Sequence, residues 1–410
     1  MLVRVHIMKQ HNAHSFWEYD IAIIGGLGHV GLPLGIVFAS KGKKVCLIDI
    51  DSTKAEKVKK GEMPFIEYGA ETLLLDVLKK GFLDVSLDKS TISKAKNIIV
   101  AIGTPVDEYL NPKTREFLEF FDSLVPHITP NQLIVIRSTV YPHTCDQIER
   151  RLGKEKGWKI SYCPERIIQG HAVRELAKLP QIVAGLSKQA QEEATSLFSV
   201  IAPRIIHTSM GEAELIKLFS NAWRYLQFAV TNQFYMIAHN FGVDYDRLRK
   251  DMMDGYGRNE SLPSAGFAAG PCLLKDTMQL SAFSSSNFLL GHAAMMVNEG
   301  LPNYIVEDLR KRHDISKTKI GILGMAFKAD IDDIRDSLSY KLGKILRFHG
   351  AIVFYSDEFV KNNTFVSKEE LTKNSDIIII GVPHSAYKGI TFPKNKEIID
   401  LWGITNAHSQ

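Results

Sequence analysis

From residue 20 to about 205 the chain alternates short β-branched runs with amphipathic stretches. The runs read IAIIGG, VCLID, IIVAIGTP, LIVIRST, ISYCPE, IVAG and PRIIHT. Apolar runs separated by helical segments are the pattern of a parallel, doubly wound sheet, whose strands are buried on both faces. A second block with the same cadence begins at Lys319 with KIGILGMAF and continues through AIVFYSD, DIIIIGVP and EIIDLWG. Between the blocks, Gly211 to Phe241 has no proline or internal glycine and carries apolar residues at helical spacing around much of its circumference. This predicts one long, largely buried helix. The fold class that follows is α/β: two Rossmann-like doubly wound parallel-sheet domains joined by a long central helix. Apolar surface wider than one domain can cover also makes that helix a spine between the lobes and the surface of a homodimer. Tyr256 to Lys275, rich in Gly, Pro and Ser, reads as an ordered loop of the kind that carries function.

Composition narrows the class. A chain of 410 residues is too long for one ordinary core, and 45% apolar content can fill two or three. The longest apolar runs are strand-sized, and the first twenty residues lack the apolar centre of a signal peptide, so no membrane association is expected. Four cysteines, at 46, 145, 163 and 272, have neither metal-ligand spacing nor the density of a disulfide scaffold. A reducing cytoplasm and no metal are the expectation. Fifty basic and 46 acidic residues leave a net charge of +4 without a basic block, which argues against nucleic acid and suits an anionic small molecule.

The sharpest motif is Gly26-Leu27-Gly28-His29-Val30-Gly31, which follows the strand IAIIG and opens the helix VGLPLGIVFASKG. Gly26 allows a tight turn, Gly28 a close approach of backbone to pyrophosphate, and Gly31 the contact of helix with strand, while the helix N-terminus receives the phosphates. Asp49 ends the next strand, eighteen residues past Gly31, where a carboxylate bonds the adenine ribose hydroxyls and repels a 2′-phosphate. NAD is therefore expected over NADP, with Lys54 offsetting part of that repulsion.

Candidate chemistry lies further along. Cys272, in GFAAGPCLLKD, reads either as an inert small-loop cysteine or as a thiolate stabilised by nearby ammonium groups, able to trap an aldehyde as a thiohemiacetal. Lys217 and Asn221 stand four apart on one face of the long helix. They are either a pair aimed into a cleft or ordinary polar helix positions. Glu165 follows a strand end in YCPER, as Ser138-Thr139 and Thr104-Pro105 follow others, where ligand crevices of open α/β sheets form. A solvated glutamate and two ST-turns are the plainer readings.

In order along the chain, GLGHVGLPLG, DIDSTKAEKV, GTPVDE, RSTVYPHT, YCPERIIQG, EAELIKLFSNAW, GFAAGPCLLKD and GMAFKADIDDIRDS resemble the nucleotide-sugar 6-dehydrogenases, the family of UDP-glucose and GDP-mannose dehydrogenases. The resemblance implies a dimeric enzyme that oxidises R-CH2OH to R-COO⁻ with two NAD⁺ per nucleotide sugar, serving polysaccharide or glycan precursor synthesis. It divides the chain into an N-terminal extension (1–18), an NAD-binding domain (19–208), a central helical dimerisation and catalytic domain (209–305) and a C-terminal UDP-binding α/β domain (306–410). It implies that Cys272 is the nucleophile, that Lys217 and Asn221 stabilise charge on the C6 oxygen, and that Asp276 works with Lys217 and a water held by Thr139. Glu165 would assist thioester hydrolysis. Val30, Asp49, Lys54, Thr104, Thr139, Lys275 and Arg335, with the glycine turn, would meet the cofactor. Glu165, Arg166, Lys217, Asn221, Gly266 and Lys328 would meet the substrate, and Arg258 would reach the partner subunit's sugar nucleotide. Three positions depart from the UDP-glucose branch: Gln169 replaces a second glutamate, AAGPC replaces the glycine-pair form GGxC, and His143 stands where glycine is common. The run YCPERIIQG looks more like the UDP-N-acetylhexosamine branch, including UDP-ManNAc and UDP-GlcNAc. UDP-glucose or GDP-mannose, a two-electron β-hydroxyacid or 6-phosphogluconate type of dehydrogenase, and a non-catalytic NAD-binding protein are the alternatives.

Overall fold

The computed structural model describes residues 17–104, 106–108, 111–152 and 158–405. The N-terminal extension therefore lies almost wholly outside the described residues. The first sheet contains β1 (Tyr19–Ile24), β2 (Val45–Ile48), β3 (Leu83–Ser86), β4 (Ala95–Val100), β5 (Leu133–Ile136), β6 (Lys159–Tyr162), β7 (Gln181–Gly185) and β8 (Ile205–His207). Their order is β3-β2-β1-β4-β5-β6-β7-β8. Alternate residues of β1 and β2 serve two different cores, Ile21, Ile23 and Leu47 on one face, and Ala22, Ile24 and Cys46 on the other. That double burial is why the runs read as continuous rather than alternating.

One pairing departs from the parallel expectation: β7 runs antiparallel to β6. The connection between them holds only the five-residue helix Ala172–Leu176, too short to carry the chain back across the sheet for a parallel return. The segment from Cys163 to Pro180 therefore stays at the carboxyl end of the strands, where ligand crevices form.

The second sheet contains β9 (Lys319–Leu323), β10 (Ile352–Ser356), β11 (Ile377–Ile380) and β12 (Glu397–Asp400), all parallel, in the order β10-β9-β11-β12. The duplication extends to single residues. Gly25 follows β1 at φ 74° and Gly324 follows β9 at φ 93°. Asp49, beyond β2, accepts from the backbone of Leu27, and Asp357, beyond β10, accepts from Met325 and Ala326.

The long helix spans Met210–Asn240, within one residue of the expected bounds at each end. Ser209 caps it, and Glu212 completes the capping box. The expectation that it is largely buried does not hold for a single chain. Its covered side carries Ala213, Leu218, Asn221, Tyr225, Ala229 and Asn232, whereas Phe219, Trp223, Val230, Phe234 and Ile237 are exposed. The helices Leu273–Phe283 and Leu289–Arg312 pack against it and leave those side chains exposed. The latter helix also crosses the expected domain boundary at 305/306. Its Leu301, Ile305, Val306 and Leu309 belong to the core of the second sheet, so no linker separates the lobes there.

Candidate active site

The turn after β1 is built by close approach. A Cβ on Gly26 would lie 2.8 Å from that of Leu47, and one on Gly31 would collide with Gly25 O, so neither position admits a side chain. The left-handed φ belongs to Gly25 rather than to Gly26, which moves the conformational demand of the turn by one residue. A Cβ on Gly28 would meet only Gly25 O, at 3.4 Å. The outer side of the turn, where a pyrophosphate would lie, is thus open, and the helix Gly31–Ser40 begins behind Val30. Asp49 bonds Leu27 N at 2.9 Å and Ile50 N at 2.8 Å, which ties the turn to the carboxylate that a ribose would meet. These features fit a dinucleotide. The Leu27 side chain is in the core, so only its backbone serves the turn. Lys54 pairs with Asp51 at 3.5 Å. The His29 ring lies tilted by 40° against that of Phe65, with centroids 3.9 Å apart, and burial pushes its imidazole down to about 4.

The thiol end is assembled from two helices. Cys272 is the N-cap of Leu273–Phe283, and Gly270 before it has φ 97° with the Phe327 ring against its Cα. Ala269 needs no left-handed angle, which explains how AAGPC can stand for a glycine pair. Asn221 Nδ2 donates to Asp276 Oδ2 at 2.5 Å, joining the long helix to the helix led by Cys272. Asp276 is 1% exposed, and its Oδ1 has no hydrogen-bond partner among the described residues. Lys275 Nζ lies 3.6 Å from that oxygen and donates to Thr104 O and Oγ1 at 3.2 and 3.1 Å. Cys272 keeps access to solvent. Burial of its sulfur and the nearby Asp276 nevertheless push the thiol up, against the pull of Lys275, Lys217 and Arg335. The ammonium groups expected to favour a thiolate do pull in that direction. The cations are present, but desolvation outweighs them.

The other expected residues divide. Thr139 is half-buried beyond β5, next to Ser138, whose hydroxyl bonds Ile102 O at 2.7 Å. Glu165 is not solvated. It is 7% exposed, ion-paired with buried Arg137, and accepts from Ile167 N. Both its oxygens are engaged, because Arg137 is fully buried and needs a carboxylate. Arg166 donates to Pro180 O at 2.6 Å. Gly266, at φ 150°, lies under the Trp402 ring, and its N and O both bond Asn232, so it braces the loop rather than offering free backbone to a ligand. Lys328 donates to Gln169 O at 2.8 Å, with its ammonium pushed down by burial and by Arg224. Arg258 is exposed, with its guanidinium over the Tyr256 ring. His143 has φ 67°, the reason glycine is common there.

Sequence reasoning missed Asp333, which accepts from Gln169 and from Arg335, and Arg137. It also missed Asp357, although AIVFYSD ends on an acid as VCLID does. A signal was present in that repeated strand end.

Models of the UDP-glucose/GDP-mannose dehydrogenase family match the chain in three parts: its NAD binding domain over residues 19–201, central domain over 211–299 and UDP binding domain over 321–407. The UDP-N-acetyl-D-mannosamine dehydrogenase of Pyrococcus horikoshii is 30% identical over 93% of this chain and 94% of its own. That of Methanocaldococcus jannaschii is 27% identical over 93% and 92%. A solved structure of the P. horikoshii UDP-D-ManNAc dehydrogenase superposes with a TM-score of 0.86 at 28% identity, covering 94% of this chain and 95% of that one. A UDP-glucose dehydrogenase structure from Pyrobaculum islandicum gives the same TM-score at 24% identity, covering 97% of each chain, and shares the fold.

Proposed function

Because the chain belongs to the UDP-glucose/GDP-mannose dehydrogenase family, and is thus an NAD-dependent oxidoreductase of nucleotide sugars, we propose that it converts the C6 hydroxymethyl of UDP-N-acetyl-D-mannosamine to a carboxylate through a thioester on Cys272. The observation that carries this reading is the Asn221–Asp276 bond of 2.5 Å, which sets an amide and a buried carboxylate beside the thiol. The substrate choice draws on relatives of that name.

The turn after β1, Asp49 and Arg335 would hold NAD⁺, which would supply the hydride acceptor for each of two oxidations. Lys217 and the second amide proton of Asn221 donate to the C6 oxygen as its charge grows. Asp276 Oδ1, which has no hydrogen-bond partner among the described residues, accepts from a water or from Lys217, giving the alcohol proton a route out. The Cys272 sulfur then bonds C6 of the aldehyde, and the thiol proton passes to the aldehyde oxygen. Oxidation of that thiohemiacetal leaves a thioester. Water attacks C6, the S–C bond breaks, and the sulfur regains a proton as the acid forms. Glu165, held by Arg137, acts by keeping the YCPER segment in place rather than as a base in the crevice.

The exposed side of the long helix, with an apolar groove of about 510 Å³ lined by Phe219, Trp223, Leu226, Phe283 and Phe288, is where a second copy docks to form the homodimer. Arg258 would then serve the partner's site. Four free cysteines suit a reducing cytoplasm, and no helix among the described residues is long and apolar enough to cross a membrane.

Incubation with NAD⁺ and UDP-N-acetyl-D-mannosamine, UDP-N-acetylglucosamine, UDP-glucose or GDP-mannose tests the reading. Two NADH per sugar, fastest with the first, are expected. One NADH per sugar, or unchanged acid formation by Cys272→Ala, would sink the mechanism.

A further inference from the structure

Around His29 of the glycine turn, three distant segments meet. Asp333, 8% exposed, accepts from Gln169 Nε2 at 2.9 Å. The same carboxylate takes Arg335 Nε at 3.0 Å on both oxygens and Arg335 Nη2 at 2.6 Å, and it faces His29 Nε2 at 3.6 Å. Gln169 works at both ends, because its backbone oxygen takes the Lys328 ammonium at 2.8 Å. Neighbouring contacts close the same seam: Ile66 N to Asp332 at 3.2 Å and Tyr68 OH to Asp330 O at 2.8 Å. The glycine turn, the residue that holds Lys328 and the Arg335 guanidinium therefore share one carboxylate.

We propose that Gln169 and Asp333 form a latch holding the C-terminal domain over the cofactor turn, and that its opening sets how fast NADH leaves. Gln169 is a positioning residue in this scheme, acting through Asp333 and Arg335. The neutral amide is essential because Asp333 already carries the negative charge and needs a donor. A glutamate of equal length would bring a second carboxylate to the same spot, with no proton to share, and would compete for Arg335. The role of the latch in turnover rests on the two-step oxidation proposed above, since NADH must leave between steps while the sugar stays. The latch itself rests only on the contacts around Asp333.

The test uses the full-length protein with NADH alone, followed by cofactor fluorescence. Gln169→Glu should release NADH faster, on the order of tenfold, when chased with NAD⁺ in stopped flow, with a melting temperature close to that of the parent. The double variant Gln169→Glu/Asp333→Asn keeps net charge and reverses donor and acceptor, so it should return the release rate toward that of the parent. A Gln169→Glu protein that releases NADH at the parent rate, or a double variant no slower than the single, overturns the latch. If release behaves as expected but only one NADH forms per sugar, the latch stands and the four-electron reading falls.

Discussion

Cys272 is pulled in two directions by its surroundings. Position at a helix N-terminus and three nearby cations favour the thiolate, while burial and Asp276 favour the thiol, and the balance lies with the thiol. The sign has a consequence for pH. A thiol raised above its ordinary value is mostly protonated at neutral pH and becomes reactive only as pH rises past that value. Alkylation of Cys272 by iodoacetamide should be slower at pH 7 than that of a free thiol, and should climb to a plateau above the usual thiol range. Lys217→Ala removes one opposing charge and should move the curve higher still. Mass-mapped alkylation against pH checks both, and a fast reaction at pH 7 would contradict them. Oxidised cofactor, which would add a positive charge to the crevice, should accelerate alkylation. A protonated resting thiol also suits the proposed chemistry, because its proton is the one that the aldehyde oxygen must receive.

The long helix shows what periodicity does and does not reveal at the scale of an element. Its ends were legible because Ser209 and Glu212 form a capping box and nothing inside breaks the run. Its burial was not, because spacing reports how much apolar surface a helix has and not what covers it. Phe219, Trp223, Phe234 and Ile237 lie exposed in one chain, a stripe larger than a solvated face carries without a partner. Trp223→Glu combined with Phe234→Glu should leave the fold intact, since both side chains are already exposed, and should convert a dimer to a monomer in sedimentation velocity. A parent chain that is monomeric at micromolar concentration, or a variant that stays dimeric, would remove the interface. The glycine turn was legible because each glycine answers a local collision, although the left-handed angle fell on Gly25. The helix Leu289–Arg312 was missed because Pro302 and a polar ending hide it. Its register shows only when Ala294, Asn298, Leu301, Ile305 and Leu309 are seen packed on two different neighbours.

At the scale of the molecule, the candidate site belongs to no single domain. The first sheet supplies the turn and Asp49, the long helix Lys217 and Asn221, a loop Cys272, and the second lobe Lys328 and Arg335. Pairings such as Glu165 with Arg137 or Gln169 with Asp333 connect residues far apart in the chain, so no local pattern could have announced them. The segment around Cys272 is braced from both lobes. Lys275 reaches Thr104 of the first, while Phe327 and Trp402 of the second press on Gly270 and Gly266. Gly266 is the point where that bracing is most exacting. Its φ is 150°, both its backbone polar groups bond Asn232, and a Cβ there would come within 2.5 Å of the Trp402 ring. Gly266→Ala therefore cannot be absorbed by the loop alone. Trp402 must move, and with it the contact that fixes the second lobe against the thiol loop. A stability loss of about 1–3 kcal/mol in urea unfolding is expected from such overpacking, together with a fall in kcat larger than any change in KM for NAD⁺, because the sulfur and not the cofactor turn is displaced. Trp402→Leu in the same chain makes room for the methyl group and should recover part of both losses. If Gly266→Ala were as stable and active as the parent, the second lobe would have no part in placing Cys272, and the site would have to be drawn from the first lobe and the long helix alone.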